Sequence, residues 1–483
     1  MAPELSDYVA TDTEQTWKRT LNFNYGKLPK SKIAQFQRVV APHIDSFDWF
    51  LDTGLPGLAE AINPLEFQFN PDQPNTRYKL EIESITVDTP QLNDTEPGNT
   101  REVYPQECRA RKINYEGRAT IKFIMSDLAT GTTQQAEKTF DIPMMVGSSK
   151  CHLRNKSPKQ LVKLNEDHFE LGGYFICGGN EKVIRLLNMN KRNHPMGLYR
   201  SGWAKRRAHY QTAGIMIRCI DEYERCANLN LHINKYEELE TVFYINKRMV
   251  HLPLMIVIRA LCEWNDLEVY NEFVQTMREE QNYIAAIKMM LNDLTNSHLM
   301  RNKNDALKYI GDQFRVLGQC PAWYTDVQIG QFYLDNYCLI HLNDNIDKVR
   351  LYALMARKLF RLSLKRSMVD NPDSPENHEA LLPGHLFQSF TREIIESAME
   401  LIKGLMVKDY RYRASQGDDE VGSNALGSFR DYLFLLFEQF SSSGFSKISQ
   451  FLHRSLIEHV NSICSLEFVR KILTFLKTSA ASF

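Results

Sequence analysis

Apolar residues change their spacing along this chain, and that change constrains the fold more than any motif it carries. From Phe67 to Met145 they alternate with period two, in TRYKLEIESITVD and later in RATIKFIMSDLATGTTQQAEKTFDIPMMV, the pattern of half-buried strands. From His251 to Met368 they follow helical spacing instead, in LPLMIVIRALCEW, NYIAAIKMMLNDL and KVRLYALMARKLFRLSL. A chain holding both periods in separate stretches points to an α+β fold. No internal repeat of the kind that marks a solenoid is present.

Punctuation residues divide these stretches. Residues 32 to 62 read as one or two helices, with Gly54 and Pro56 as the stop. Ala119 to Asp141 reads as a hairpin turning at Ala129 to Thr132, and residues 157 to 171 as a helix with Ser157 capping and Pro158 at its first position. The glycine-rich GGYFICGGNEKVIRLL reads as a strand from Tyr174 to Cys177, a tight turn, and a returning strand from Lys182 to Leu187. Gly178, Gly179 and Asn180 would supply the positive φ angles, and Gly172 and Gly173 are assigned the same structural role. Further strand-like sequence follows in GIMIRCID, NLNLHIN and TVFYINKRMV. The loop DNPDSPENHEALLPGH, residues 370 to 385, marks a boundary before an amphipathic helix from Leu386, and short helices are expected from Phe429 to Phe483.

The chemistry is mostly exclusion. Lysine and arginine total 58 against 59 acids in 483 residues, a net charge of -1, so any contact with nucleic acid must be local. The N-terminus carries no apolar h-region, and no apolar run is long enough to span a membrane. Nine cysteines without a CxxC pair read as reduced thiols. GGYFICGGNEK lacks the order of a phosphate-binding loop, and HExxH, GxSxG and kinase signatures are absent. His453 and His459 stand on different helix faces, and Asp418 with Asp419 sits in a Gly/Ser loop as solvated charge. No catalytic residue and no metal site are assigned. The one charge concentration is NMNKRNHPMGLYRSGWAKRRAHY, where Lys191, Arg192, Arg200, Lys205, Arg206 and Arg207 interleave with Tyr199, Trp203 and Tyr210 without an acid. That composition suits a surface tracking a phosphate backbone, a docking surface for an acidic partner, or a solvated connector.

Several segments together resemble one family. HIDSFDWFLDTGL (43 to 55), VYPQECRARKINYEGRATIKF (103 to 123), IPMMVGSSKCHLRNKSPKQL (142 to 161) and GGYFICGGNEKVIRLLNMNKRNHPMG (172 to 197) resemble the second-largest, β-like subunit of multisubunit DNA-directed RNA polymerases, in its RNA polymerase I form. HLNDNIDKVRLYALMARKLF (341 to 360) and DNPDSPENHEALLPGHLF (370 to 387) extend the resemblance, which covers roughly residues 30 to 405. It implies an N-terminal tail (1–30), the first part of a mixed sheet-and-helix protrusion domain (31–187), an inserted, mainly helical lobe domain (188–382), a protrusion return helix (383–407) and a divergent C-terminal segment (408–483). It also implies cleft walls and docking surfaces in a nuclear, nucleolar enzyme that transcribes ribosomal RNA genes. The partners would be the largest subunit, other polymerase subunits, a peripheral heterodimer on the lobe, and DNA and RNA. No cofactor would be bound by this chain; the Mg2+ of the parent enzyme would be held by the largest subunit. No GDKFxxRHGQKG-like segment is found, so the chain is expected to be a truncated isoform, a partial gene model or a fragment, inactive alone. The competing expectation is a non-catalytic interaction protein that binds polymerase subunits or factors.

Overall fold

The computed structural model describes residues 30–415, apart from 70–76, 94–99, 208, 246–247, 276, 297–299 and 318–319. His453, His459, Asp418, Asp419, Cys464 and the helices expected beyond Phe429 lie outside the described residues.

The architecture is α+β. Helix α1 (Lys30–Trp49) runs through a π turn (Phe50–Gly54) into α2 (Leu55–Ala61). Gly54 and Pro56 therefore do not stop the helix. Pro56 falls in the first turn of α2, where a missing N–H leaves no hydrogen bond unmade. Strands β1 (Leu65–Gln68) and β2 (Arg77–Val87) follow, then the short pair β3 (Gln91–Asn93) and β4 (Thr100–Glu102), helix α3 (Pro105–Arg111), and strands β5 (Glu116–Asp127) and β6 (Thr133–Pro143). The sheet order is β1-β2-β5-β6, with each neighbouring pair antiparallel. Along β5, Gly117, Ala119, Ile121, Phe123, Met125 and Asp127 are buried at every second position.

Helix α4 (Pro158–Lys163) carries a Ser157–Gln160 capping box but is shorter than expected. Asn165, with φ 58°, turns the chain left-handed just past its end. Strands β7 (Phe175–Cys177) and β8 (Asn180–Lys182) make the glycine-rich hairpin. The chain then enters β9 (Leu187–Asn190), which pairs antiparallel with β15 (His378–Leu381), nearly two hundred residues on.

Between those two strands lies a second body of structure. Strands β10 (Met196–Tyr199), β11 (Tyr210–Ile220), β12 (Cys226–Asn234), β13 (Leu239–Ile245) and β14 (Arg248–Pro253) form a five-stranded antiparallel sheet in sequential order, with the one-turn helix α5 (Ser201–Ala204) between the first two. Helix α6 (Leu254–Leu261) is buried at all eight positions. Around it stand α7 (Asp266–Val274), α8 (Gln281–Asn296), α9 (Lys303–Arg315), α10 (Asp326–Tyr337) and α11 (Asn345–Ser363). After β15 the chain returns as α12 (Pro383–Ser415), which packs on α1.

Two large hydrophobic clusters result, and they share no member. One joins residues between Phe47 and Cys177 to Phe387, Ile395, Met399, Ile402 and Met406 of α12. The other runs from Ala213 to Leu362. The contacts between them are largely polar: Asn63 Nδ2 donates to Asn336 Oδ1 at 2.8 Å, Tyr223 to Glu60 at 3.0 Å and Tyr324 to Glu66 at 3.0 Å, while the Arg77 guanidinium lies 4.9 Å from the Trp323 ring.

The approach of α12 to α1 depends on Gly384, where a Cβ would lie 1.7 Å from the Ser46 carbonyl oxygen. Gly384→Ala should lower stability by about 2 kcal/mol, the typical cost of overpacking. Gly404→Ala, in the same helix with open space at its Cβ, should be neutral or slightly stabilising. Denaturant titration of both variants checks this contrast.

Candidate nucleic-acid or partner interface

The basic segment begins where β9 ends. Lys191 is exposed and ties in through its backbone, donating to the Asn377 carbonyl at 2.8 Å. Arg192 turns inward: its Nε donates to Glu379 Oε2 at 2.9 Å and its Nη1 to Glu224 Oε1 at 2.6 Å. Arg218, buried on β11, donates from Nη1 to the second oxygen of Glu379 and to the Asn190 carbonyl. Burial alone would raise the Glu379 carboxyl, but its bonds from Arg218 and Arg192 outweigh that and hold it below its ordinary 4.5. His385 of α12 completes the group, 3.6 Å from Glu224, with burial lowering its pKa.

The rest of the segment crosses one face of the five-stranded sheet. Alternation along β12 puts Leu229, Leu231 and Ile233 on one face and Asn230, His232 and Asn234 on the other, and all six are buried. The polar face is covered by Trp203, Arg206 and Tyr210. Trp203 packs edge-on to His232 with ring centroids 5.0 Å apart, and it fits because residue 214 is glycine: a Cβ there would lie 2.6 Å from the indole. Arg206 Nη1 donates to the Tyr244 hydroxyl at 2.6 Å and lies 3.4 Å from His232 Nε2. Arg207 donates to Glu240 at 2.9 Å. Tyr210 donates to the same carboxylate, and its hydroxyl is 2.6 Å from His251 Nδ1. Burial first, and the nearby arginines second, push His232 down to about 3 and His251 to about 4, so both rings are neutral at pH 7.

The six cations thus divide. Lys191, Arg200 and Lys205 are exposed, Arg200 lying 5.7 Å from the Trp203 ring centroid. Arg192, Arg206 and Arg207 are engaged with acids and aromatic side chains of this chain, Arg207 while remaining exposed. The signal missed was Glu224, Glu240 and Glu379: each is distant in sequence, and no local count of charge reveals it.

The glycine-rich hairpin has no anion-facing amides to spare. Gly178 N–H donates to Asn114 Oδ1 at 2.7 Å, Gly179 N–H to the Ile113 carbonyl at 3.1 Å and Gly173 N–H to the Val146 carbonyl at 2.9 Å. Gly172, Gly173, Gly178 and Gly179 have φ of 72°, 84°, 59° and 78°. Asn180 does not share that conformation: it opens β8 opposite Cys177, and the returning strand ends at Lys182 rather than Leu187. At Gly172 a Cβ would lie 2.4 Å from the Val146 oxygen, so glycine is required there twice over. Among the described residues no group of three or more His, Cys, Asp or Glu could hold a metal ion, the eight cysteines are unpaired, and no helix is long and apolar enough to cross a membrane.

The family model described as RNA polymerase beta subunit matches residues 38–418. DNA-directed RNA polymerase I subunit RPA2 of Mus musculus is 34% identical over 387 residues, covering 80% of this chain and 34% of the relative. The Homo sapiens protein of the same name is 32% identical, covering 79% and 33%. The Schizosaccharomyces pombe protein, named as a probable RNA polymerase I subunit RPA2, is 31% identical over 449 residues, covering 91% and 37%. The chain therefore spans about a third of the length of the curated relatives it matches.

Two measurements follow from the buried charges. Glu379→Gln leaves Arg192 and Arg218 facing a neutral amide and should cost about 3 kcal/mol at pH 7. Because the native carboxyl titrates below its ordinary value, that stabilisation is present above about pH 4.5 and is lost as pH falls through the native pKa, so the variant and parent should converge in acid. His232 and His251 have native values below the usual 6.5. Stability should therefore fall as pH drops from 6.5 toward 4, and His251→Gln should flatten that slope by about one proton. Unfolding titrations across pH 3.5 to 8 read both effects.

Proposed function

The chain belongs to the RNA polymerase beta-subunit family, and from that membership we propose that it serves as the N-terminal part of the second-largest subunit of RNA polymerase I. The observation that carries this reading is the single family match across residues 38–418 together with relatives named as RNA polymerase I subunits at 31 to 34% identity. In the assembled enzyme the chain supplies cleft walls and docking surfaces, and the nucleotidyl transfer belongs to regions outside it, with Mg2+ held by the largest subunit. The site of action is the nucleus, at the nucleolus, on ribosomal RNA genes.

Residues 31–187 and 383–407 act as the protrusion and residues 188–382 as the lobe. Two observations support that division: the two hydrophobic clusters share no member, and β9 pairs with β15 where the chain passes between them. Lys191, Arg200 and Lys205 are the cations of the basic segment free to meet a phosphate or a partner's carboxylates. Arg192, Arg206 and Arg207 position the segment instead. DNA, RNA, the largest subunit and a peripheral heterodimer on the lobe are the partners of the assembly.

The test is co-purification. The tagged chain should bring down the largest polymerase I subunit from nuclear extract, and the purified chain alone should incorporate no nucleotide on any template. Incorporation by the isolated chain, or a pull-down devoid of polymerase subunits, would overturn the proposal.

A further inference from the structure

Between Asp141 and Glu166 the chain carries no acid and five cations: Lys150, Arg154, Lys156, Lys159 and Lys163. They are spaced more widely than those of residues 188 to 210, but the fold spends fewer of them. The loop ahead of α4 is pinned from beneath. Ser148 and Cys151 are buried, Cys151 N–H donates to the Ser148 carbonyl at 3.0 Å, and the Tyr115 hydroxyl donates to Cys151 Sγ at 3.4 Å and accepts from His152 N–H at 3.1 Å. Arg154 belongs to that anchorage: its Nη1 donates to the Gly147 carbonyl at 2.6 Å and lies 3.2 Å from Asp48 Oδ2.

Lys156, Lys159 and Lys163 are exposed and make no ion pair with any described residue. Leu161, buried in the first core, fixes the roll of α4. At about 100° per residue, Lys159 and Lys163 both lie on the side of the helix away from Leu161, about 6 Å apart along its axis. Lys156 stands three residues ahead of Lys159, within about 10 Å of chain. The acids near this stretch are placed elsewhere. Asp48 and Asp52 meet Ser149, and Glu102 comes within 3.9 Å of His152, all at residues ahead of the three lysines. Past the helix, Glu166 is buried against Arg109, and Asp167 accepts from Phe169 N–H at 3.0 Å.

We infer that Lys156, Lys159 and Lys163 form a contact surface for the phosphate backbone of double-stranded nucleic acid. Like charges this close, with no acid interleaved, repel one another until a counter-charge arrives from outside. A duplex carries one negative charge per about 1.7 Å of its axis, so even a short length of it offers every one of these lysines a phosphate. Residues 149 to 165 include no Phe, Tyr or Trp and so give unpaired bases no platform to stack on. Protein interfaces are depleted in lysine and rely on aromatic or apolar anchors, and Val162 is the one large apolar side chain that α4 exposes. This surface deepens the nucleic-acid contact proposed above and rests on that reading for why a duplex is at hand; it lies on the first core, apart from Lys191, Arg200 and Lys205.

The test measures binding of the full chain to a short DNA duplex by fluorescence anisotropy across a salt series. Combining Lys156→Gln, Lys159→Gln and Lys163→Gln should make the slope of log affinity against log salt shallower by about 2.7, or 0.9 for each lost phosphate contact, with the thermal melt unchanged. Lys156→Arg, Lys159→Arg and Lys163→Arg together should keep the parent slope, and the parent should bind the duplex more tightly than a single strand of the same length. A parent chain that binds no duplex, a slope indifferent to the glutamine changes, an arginine variant that behaves like the glutamine one, or equal or tighter binding of the single strand would overturn the inference. A chain that shows the expected change of slope but does not co-purify with polymerase subunits would remove the proposed function and leave this surface standing.

Discussion

Glu379 holds two guanidiniums at the place where the chain passes between its two cores. It sits on β15, Arg192 follows β9, and Arg218 belongs to the five-stranded sheet, so one carboxylate ties the ladder to the body of structure it leads into. A partly buried carboxylate is costly unless both oxygens are satisfied. Here one oxygen takes the Arg192 backbone and side chain while the other takes Arg218. A neighbouring contact is of the same kind: the Gln388 side-chain amide donates to the Tyr223 carbonyl at 3.2 Å. The cohesion of each core is apolar; what joins them is hydrogen bonds and ion pairs.

That polar logic also explains how a strongly basic segment can lie on a buried sheet face. Arg206 and Arg207 reach polar partners on strands β12 and β13, and so hold the segment down with Trp203 and Tyr210 against His232. Two neutral imidazoles beneath arginines are cheaper there than two charged ones. Tyr210 links the Glu240 carboxylate to His251, and Trp203 packs edge-on against His232. The segment is an outer layer of the sheet with a few cations left over for other uses.

What the sequence made legible follows from which interactions are local. The period-two run over β5 and β6 was readable because burial of every second residue is written into adjacent positions. The N-cap at Ser157 was readable for the same reason, while the end of its helix, where Asn165 takes φ 58°, was not. Gly54 and Pro56 looked like a stop since both disfavour helix interiors, yet the π turn and the first-turn position of Pro56 absorb them. The acidic partners within the basic segment's reach were hidden by distance. Arg207 meets an acid 33 positions away and Arg192 one 187 positions away, and charge composition carries no record of either.

The β9–β15 ladder has a consequence for how such a chain can change over time. Neighbouring strands in a sheet lie about 5 Å apart, so the chain leaves and re-enters the first core at almost the same point. A tight turn could join Asn190 to His378, which pair directly, and the first core would keep its connectivity. The intervening body can therefore lengthen, shed helices or acquire new surface while its host core keeps the same two anchoring strands. A fold plugged in through a two-strand socket lets one half of the molecule diversify at a rate the other half need not share.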